Sequence, residues 1–141
     1  MKVDQKLVDA AIELATRRYA NDPDGDGWAG AAAMYTSDGR ILTSVYVDAP
    51  NAAAELCCET GAIAEAHKLA VAVRASVCVS RDDPGSLFVI LAPCGICQER
   101  LAFWGGDVQV GVPDSNDASS WLSVSLRDVQ PHYWRRATER Y

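Results

Sequence analysis

Basic residues and long apolar segments are both scarce in this sequence. Its 141 residues include 13 lysines and arginines against 19 aspartates and glutamates, which gives a formal net charge of −6. Because phosphate contacts need a basic face, this charge argues against a nucleic-acid-binding protein, while a small uncharged or cationic substrate is compatible with it. No apolar run approaches the roughly 20 residues of a membrane span, and the amphipathic start of the chain lacks a signal-peptide pattern. We therefore expect a cytoplasmic protein that binds neither nucleic acid nor a membrane.

Cysteine and histidine are also few. The five cysteines are odd in number and two are adjacent, which argues against a disulfide framework and favours metal binding in a reducing compartment. We interpret both histidines, His67 and His132, as surface or packing residues. The apolar fraction of 49% and the charged fraction of 23% are ordinary for a globular protein. We expect residues 1–141 to form a single domain with one core.

Hydrophobic periodicity and turn residues predict a mixed chain of helices and strands. The predicted helices cover residues 4–19, 52–70 and a segment from Cys94 to about Gly105-Gly106, and the second of them carries Cys57 and Glu59. The predicted strands cover 29–36, 41–47, 76–80, 87–91 and 108–112; residues 121–124 form a short edge strand or a loop, and 125–129 a short helix. This order predicts the α/β class, as a three-layer α/β/α sandwich around a mixed five-stranded sheet.

Two short cysteine segments carry the chemistry of the sequence. They are Cys57-Cys58-Glu59 and Pro93-Cys94-Gly95-Ile96-Cys97. The thiols of Cys57, Cys94 and Cys97 can make three bonds to one Zn²⁺ ion and leave a fourth position for water, which is the pattern of a catalytic site. Glu59 is predicted to be the catalytic acid and base that moves the proton of this water without being a ligand. This combination is typical of zinc-dependent deaminases.

A structural zinc site or a set of inert buried thiols is the competing interpretation of the same cysteines. A structural zinc ion needs a fourth ligand, for which Cys58 and His67 are the candidates. Adjacent cysteines rarely point the same way on a helix, and His67 lies ten residues beyond Cys57, nearly three helical turns away. We therefore interpret Cys58 as a small packed residue, and a purely structural site would have no use for Glu59.

The motifs resemble those of the cytidine deaminase family, and more closely its blasticidin-S-deaminase-like branch. Cys57-Cys58-Glu59 is similar to the family's Cys-Ala-Glu, and 92–97 is similar to its Ser-Pro-Cys-Gly-x-Cys. Residues 37–41 are similar to its first hairpin turn. The resemblance implies a five-stranded α/β/α deaminase fold and one zinc ion per chain, held by the three cysteines with Glu59 as the proton shuttle. It also implies a homotetramer whose neighbouring subunits help to close each active site.

The sequence departs from this family where the substrate's sugar would be held. Nucleoside deaminases of the family carry Asn-x-Glu before the zinc motif, whereas this chain has Tyr46-Val47-Asp48. Asp48, Asn51 and Glu55 are the candidate replacements. Tyr133 and Trp134 near the C-terminus form either an aromatic wall for a planar ring or a tail that packs on the sheet. Trp28 and Trp104 are interpreted as core or interface residues.

A second departure concerns the charge around the metal. Many relatives with three cysteines have an arginine directly after the glutamate and Arg-Gln after the last cysteine. This chain has Thr60 and Gln98-Glu99 at these positions. We therefore expect the electrostatic support of the zinc to come more from helix ends and neutral donors.

The leading hypothesis is a zinc-dependent hydrolase that removes the exocyclic amine of a small molecule as ammonia. The expected substrate is a cytosine nucleoside or a similar aminopyrimidine such as blasticidin S. Two alternatives are a deaminase of a sugar-free amino-heterocycle, which the missing Asn-x-Glu motif motivates, and a non-catalytic assembly module stabilised by zinc.

Overall fold

A six-stranded mixed sheet forms the middle layer of the computed structural model, which describes residues 1–22 and 25–138. Its strands are β1 (Ala29–Thr36), β2 (Ile41–Val45), β3 (Val73–Arg81), β4 (Val89–Leu91), β5 (Gln109–Asp114) and β6 (Asp117–Ser125). The helices are α1 (Gln5–Tyr19), α2 (Thr60–Lys68), α3 (Gly95–Leu101) and α4 (Leu126–Val129). The strand order is β2-β1-β3-β5-β6, with β4 also paired to β3, and the pair β3–β5 is parallel while the other pairs are antiparallel.

Strand β1 explains the three layers. All eight of its residues are buried, and alternate side chains face opposite sides of the sheet. Ala33 and Tyr35 pack in a cluster with Leu7 of α1, whereas Met34 packs in another cluster with Ile63 of α2. The sheet is therefore covered on both faces, which confirms the predicted α/β/α sandwich.

The first helix begins where the sequence predicts it. The side chain of Asp4 caps α1 by accepting a hydrogen bond from the backbone N–H of Leu7 at 2.9 Å. The same carboxylate accepts a hydrogen bond from the hydroxyl of Tyr35 at 2.9 Å. The cap thus also connects α1 to β1.

No helix in the described residues is long and apolar enough to span a membrane.

The predicted helix over 52–70 is wrong in its first half. Residues Ala52–Ala54 form one 3-10 turn, and α2 begins only at Thr60. Between them, Leu56 pairs with Val47 through two backbone hydrogen bonds of 3.0 Å. This pairing holds the chain extended and overrides the helix propensity of an alanine-rich segment. Cys57 and Glu59 consequently lie in the turn before α2, with Glu59 at its cap position.

The predicted count of five strands is also wrong, because β6 is a full strand of nine residues. It forms an antiparallel hairpin with β5, in which Gln109 pairs with Ser125 and Val112 with Leu122. The sequence predicts 121–124 only as a short edge strand or a loop, because this serine-rich segment has little apolar alternation. Backbone pairing with β5 makes the whole segment a strand, although its hydrophobic pattern does not indicate one.

Candidate metal centre

Three thiols converge where the two cysteine segments meet. Cys57 lies in the turn before α2, Cys94 caps α3, and Cys97 lies in the first turn of α3. Their Sγ atoms all lie within 4.8 Å of one another, and those of Cys57 and Cys94 are 3.4 Å apart. Sulfurs bound to one tetrahedral zinc ion at about 2.3 Å would be about 3.8 Å apart. The donor set therefore suits Zn²⁺.

Backbone contacts hold the two ligand segments in place. The Val47–Leu56 pairing fixes the residue directly before Cys57, and the hydroxyl of Ser44 donates a hydrogen bond to the carbonyl oxygen of Cys58. On the other segment, Nε2 of Gln98 donates to the carbonyl oxygen of Pro93 at 2.8 Å. These contacts keep the thiols close before any metal binds, which reduces the ordering cost of metal binding.

The three thiols differ in acidity. Burial raises the pKa of Cys57 and of Cys97. Burial alone would also raise the pKa of Cys94, but the backbone N–H groups of Cys97 and Ile96 and contacts with the neighbouring thiols bring it below its ordinary value. Cys94 is thus the thiol most readily converted to the thiolate that a metal requires.

Glu59 is the buried carboxylate of this centre. Its side chain is only 4% exposed, and burial raises its pKa. A hydrogen bond from the thiol of Cys97 and the charge of Arg100 act in the opposite direction. Glu59 does not belong to the group of converging ligand atoms. A carboxylate next to a metal site with a raised pKa is suited to accept and return a proton.

Neither of the considered fourth ligands reaches the three thiols. The converging group among the described residues contains Cys57, Cys94 and Cys97 alone. Cys58 is buried against Cys78, whose thiol shares a hydrogen bond with it. The ring of His67 packs against Phe103, with ring centroids 4.6 Å apart. Three ligands leave a coordination position of a tetrahedral ion for another molecule.

The candidate sugar-binding residues have different surroundings. Asp48 lines a cavity of about 520 Å³ together with Tyr46, Trp28 and other residues, and Val47, between Tyr46 and Asp48, pairs with Leu56 directly before Cys57. Asn51 is already used as a cap, because its side-chain oxygen accepts a hydrogen bond from the N–H of Ala53 at 3.0 Å. Glu55 accepts a hydrogen bond from the hydroxyl of Tyr46. Among these three candidates, Asp48 is the one that lines a cavity.

Tyr46 and Trp28 form the aromatic side of this cavity. Their rings meet edge to face with centroids 5.8 Å apart, and both pack against the cluster that contains Cys58. The hydrogen bond to Glu55 raises the pKa of Tyr46 to about 12. The sequence analysis interpreted Trp28 as a core or interface residue. Trp28 lies directly before β1 and 29 positions before Cys57, so the sequence gives no sign that it lines a cavity.

Tyr133 and Trp134 lie at a different cavity. It has a volume of about 740 Å³ between α2, α3 and the C-terminal tail, and Thr60 and Phe103 also line it. Tyr133 is 9% exposed and belongs to the core cluster, whereas Trp134 is 64% exposed and donates from Nε1 to Glu99 at 3.3 Å. The tail therefore packs on the helices, and the predicted contact of these residues with a substrate stays a prediction.

Arg100 adds a formal charge to the helix ends and neutral donors that are expected to stabilise the centre. Its Nη1 atom donates a hydrogen bond to Oγ1 of Thr60 at 2.7 Å, and its charge lowers the pKa of Glu59. The sequence analysis considered only the positions that directly follow Glu59 and Cys97. The signal that could have found Arg100 is its spacing of three residues from Cys97, which places both on one side of a helix.

The fold and the site can be compared with known proteins. No protein-family model and no curated protein matches the chain. A solved cytidine deaminase from Bacillus anthracis is 43% identical, with a TM-score of 0.85, and the alignment covers 96% of this chain and 91% of that one. A cytidine deaminase from Mycobacterium tuberculosis is 23% identical, with a TM-score of 0.65 and coverages of 90% and 96%. One from Burkholderia pseudomallei is 21% identical, with a TM-score of 0.69 and coverages of 94% and 99%. The last two similarities show a shared fold alone.

Proposed function

The chain belongs to the cytidine deaminase family, and on this basis we propose that it is a zinc-dependent hydrolase that deaminates a cytosine nucleoside or a nucleoside-like aminopyrimidine. The products are ammonia and the corresponding oxo-pyrimidine. The solved relative that is 43% identical is a cytidine deaminase, which favours cytidine or deoxycytidine, and blasticidin S is the further substrate to be tested. We place the reaction in the cytoplasm, where the five free thiols would stay reduced.

The observation that carries this proposal is the combination of three ligands with one buried carboxylate. Cys57, Cys94 and Cys97 converge without a fourth ligand among the described residues. Glu59 is buried beside Cys97 and lies outside the group of converging ligand atoms. A purely structural zinc site uses four protein ligands and gains nothing from a buried acid, which costs stability when ionised.

The roles of the protein residues follow from this arrangement. Cys57, Cys94 and Cys97 hold the zinc ion, which when bound supplies a Lewis acid that lets water lose a proton near neutral pH. A carboxylate oxygen of Glu59 accepts that proton as the water attacks the amine-bearing ring carbon. Glu59 passes this proton to the adjacent ring nitrogen, then takes the remaining proton of the added hydroxyl and delivers it to the departing amine, so that the carbon–oxygen double bond forms as ammonia leaves. A single carboxylate serves as base and then as acid, so its raised pKa suits both steps.

The cavity beside the Cys57 turn is the proposed place of the substrate's sugar. The Val47–Leu56 pairing fixes the strand end that carries Tyr46 and Asp48 next to the metal ligand. The carboxylates of Asp22, Asp26 and Asp48 line the cavity, and carboxylates accept hydrogen bonds from sugar hydroxyls or from a cationic group. The aromatic ring of Trp28 offers an apolar surface for a planar base.

A substrate panel tests the proposed function. The zinc-loaded protein is expected to release ammonia from cytidine and deoxycytidine faster than from cytosine, because the sugar adds contacts in the cavity. Blasticidin S is included as a cationic aminopyrimidine. The measurement is kcat/KM for each compound, from ammonia release and from the change in ultraviolet absorbance. Activity on sugar-free bases alone would overturn the nucleoside assignment, and no activity on any compound would overturn the deaminase.

An Asp48→Asn variant tests the proposed sugar site, and Asn51→Ala is its control. If Asp48 binds the sugar, KM for cytidine rises by about tenfold, the usual value of a lost hydrogen bond to a charged group, while kinetics on cytosine stay unchanged. Asn51→Ala removes the cap of the 3-10 turn and is expected to lower stability slightly without a change in KM. An equal rise in KM for cytidine in both variants would argue against a specific role of Asp48.

We also propose that the protein is a homotetramer. Val47, Leu91 and Ile96 adjoin the ligand segments and are 44%, 43% and 61% exposed, and such apolar surface around a site is typical of an interface. Neighbouring subunits that cover it would also exclude water from the metal centre. Light scattering coupled to gel filtration is expected to give about four times the 15.2 kDa of one chain. A fully active protein with the mass of one chain would contradict this proposal.

A further inference from the structure

Negative charge accumulates where α2 and α3 meet. Three thiolates around one divalent cation carry one net negative charge, and the buried carboxylate of Glu59 lies beside Cys97. Like charges held close together in a partly buried site repel each other more than they would in water. Backbone N–H groups near the thiols offset part of this repulsion. A formal positive charge would offset more of it.

The guanidinium of Arg100 lies at this junction. Arg100 follows Cys97 by three residues on α3, so the two side chains lie on the same side of the helix. Its Nη1 donates to Oγ1 of Thr60 at 2.7 Å, and Thr60 is the first residue of α2, directly after Glu59. One side chain thus connects the helix of Cys97 to the turn of Glu59.

Arg100 forms no ion pair with the residues that the structure describes. Over residues 1–22 and 25–138, no carboxylate lies within salt-bridge distance of it. The adjacent Glu99 faces the C-terminal tail, where it accepts a hydrogen bond from Trp134. A guanidinium has five N–H donors, and the bond to Thr60 uses one of them. The hydrogen bond to Thr60 holds this charge at the start of α2, directly after Glu59.

We propose that Arg100 is a positioning residue of the metal centre, which fixes the Glu59 turn against α3 through Thr60 and offsets the negative charge of the thiolates. The residue acts through Thr60 and through its charge rather than by touching the substrate. Its loss is therefore expected to lower kcat and to loosen the metal, with little effect on KM. The effect on kcat rests on the proposed deaminase function, whereas the effect on the metal does not.

Four variants separate the charge from the hydrogen bond. Arg100→Gln removes the charge and keeps an N–H donor, Arg100→Lys keeps the charge, and Thr60→Val removes the acceptor with little change of shape. Arg74→Gln is the matched control, because Arg74 is an exposed arginine on β3 outside the site. Each protein is measured for zinc release to a colorimetric chelator, for the absorption spectrum of its Co²⁺-substituted form, and for kcat and KM on cytidine.

Arg100→Gln is expected to release zinc about tenfold faster and to lose about tenfold in kcat, the value of one charge-assisted hydrogen bond. Its KM should stay within about twofold of the wild-type value, and its cobalt spectrum should shift. Arg100→Lys should recover most of both losses. Thr60→Val should shift the cobalt spectrum while retaining more activity than Arg100→Gln, and Arg74→Gln should match the wild type.

Several results would overturn the proposal. Zinc release and a cobalt spectrum for Arg100→Gln that equal those of Arg74→Gln would exclude a role at the metal centre. Equal losses in Arg100→Gln and Arg100→Lys would exclude the role of the charge. If circular dichroism shows that Arg100→Gln does not fold, an unchanged spectrum and kcat in Thr60→Val would still refute the positioning. A wild-type protein without deaminase activity would refute the proposed function, and the metal measurements would still decide the role of Arg100.

Discussion

A Glu59→Gln protein is expected to keep its zinc and its fold and to lose most of its turnover. The substitution preserves size but removes the group that accepts and returns protons. Positioned acid–base catalysis contributes about 10²–10⁴ in rate, and a group that serves several steps can exceed this range. The expected result is a fall in kcat of at least this order on the best substrate, with about one zinc ion per chain by elemental analysis. A planar substrate analogue should still bind, because the cavity is unchanged.

The matched control is Glu65→Gln, which makes the same change on α2 outside the metal centre. It is expected to retain the wild-type kcat. Near-normal turnover by Glu59→Gln would mean that another residue moves the proton. Loss of zinc from Glu59→Gln would make Glu59 a ligand, and the non-catalytic zinc module would then become the better interpretation.

Cys94→Ala is expected to lose its zinc, its activity and part of its stability together. Removing one of three protein ligands leaves two, and Cys94 is the one of the three whose pKa is lowered by backbone N–H groups and the neighbouring thiols. Metal that binds only the folded chain stabilises it by about 4 kcal/mol when free metal exceeds Kd by about 1,000-fold. The measurements are zinc per chain, the melting temperature with and without added zinc, and kcat. A Cys94→Ala protein with full zinc would remove Cys94 from the ligand set.

Cys58→Ala is the control for this prediction, since Cys58 adjoins a ligand in sequence but packs against Cys78 in the structure. It is expected to retain its zinc and to lose only the stability that its buried thiol contributes. Loss of zinc from Cys58→Ala would indicate a four-cysteine structural site. The argument for an open coordination position would then fail.

The convergence of Cys57, Cys94 and Cys97 could be predicted because metal binding imposes short local spacings. Cys94 and Cys97 belong to one helical turn, and the Cys57–Glu59 spacing is equally local, so the sequence alone indicates both groups. Which cavity lies next to these two groups of residues depends on tertiary structure. Trp28 reaches the Cys58 cluster only because β1 and the end of β2 lie side by side.

The start of α2 and the contact of Arg100 with Thr60 could not be predicted for a related reason. The helix propensity of 52–54 is local, but the pairing of Leu56 with Val47 joins two separate segments and prevails. Arg100 meets Thr60 across 40 positions of sequence. In both cases, a contact between distant segments decides the structure, and no periodicity in a single segment reports such a contact.

The spacing of the two cysteine segments has a consequence for folding. Cys57 and Cys94 are 37 positions apart, and the chain between them contains α2, β3 and β4, including the strand that pairs with three others. An ion that stayed bound to these cysteines during unfolding would close a loop in the unfolded chain and remove conformational entropy from it. By the chain-entropy relation for cross-links, a loop of this length corresponds to about 4 kcal/mol. The metal centre would then act as a reversible cross-link across the middle of the sheet. The rate of refolding would depend on whether zinc is added before or after the denaturant is diluted.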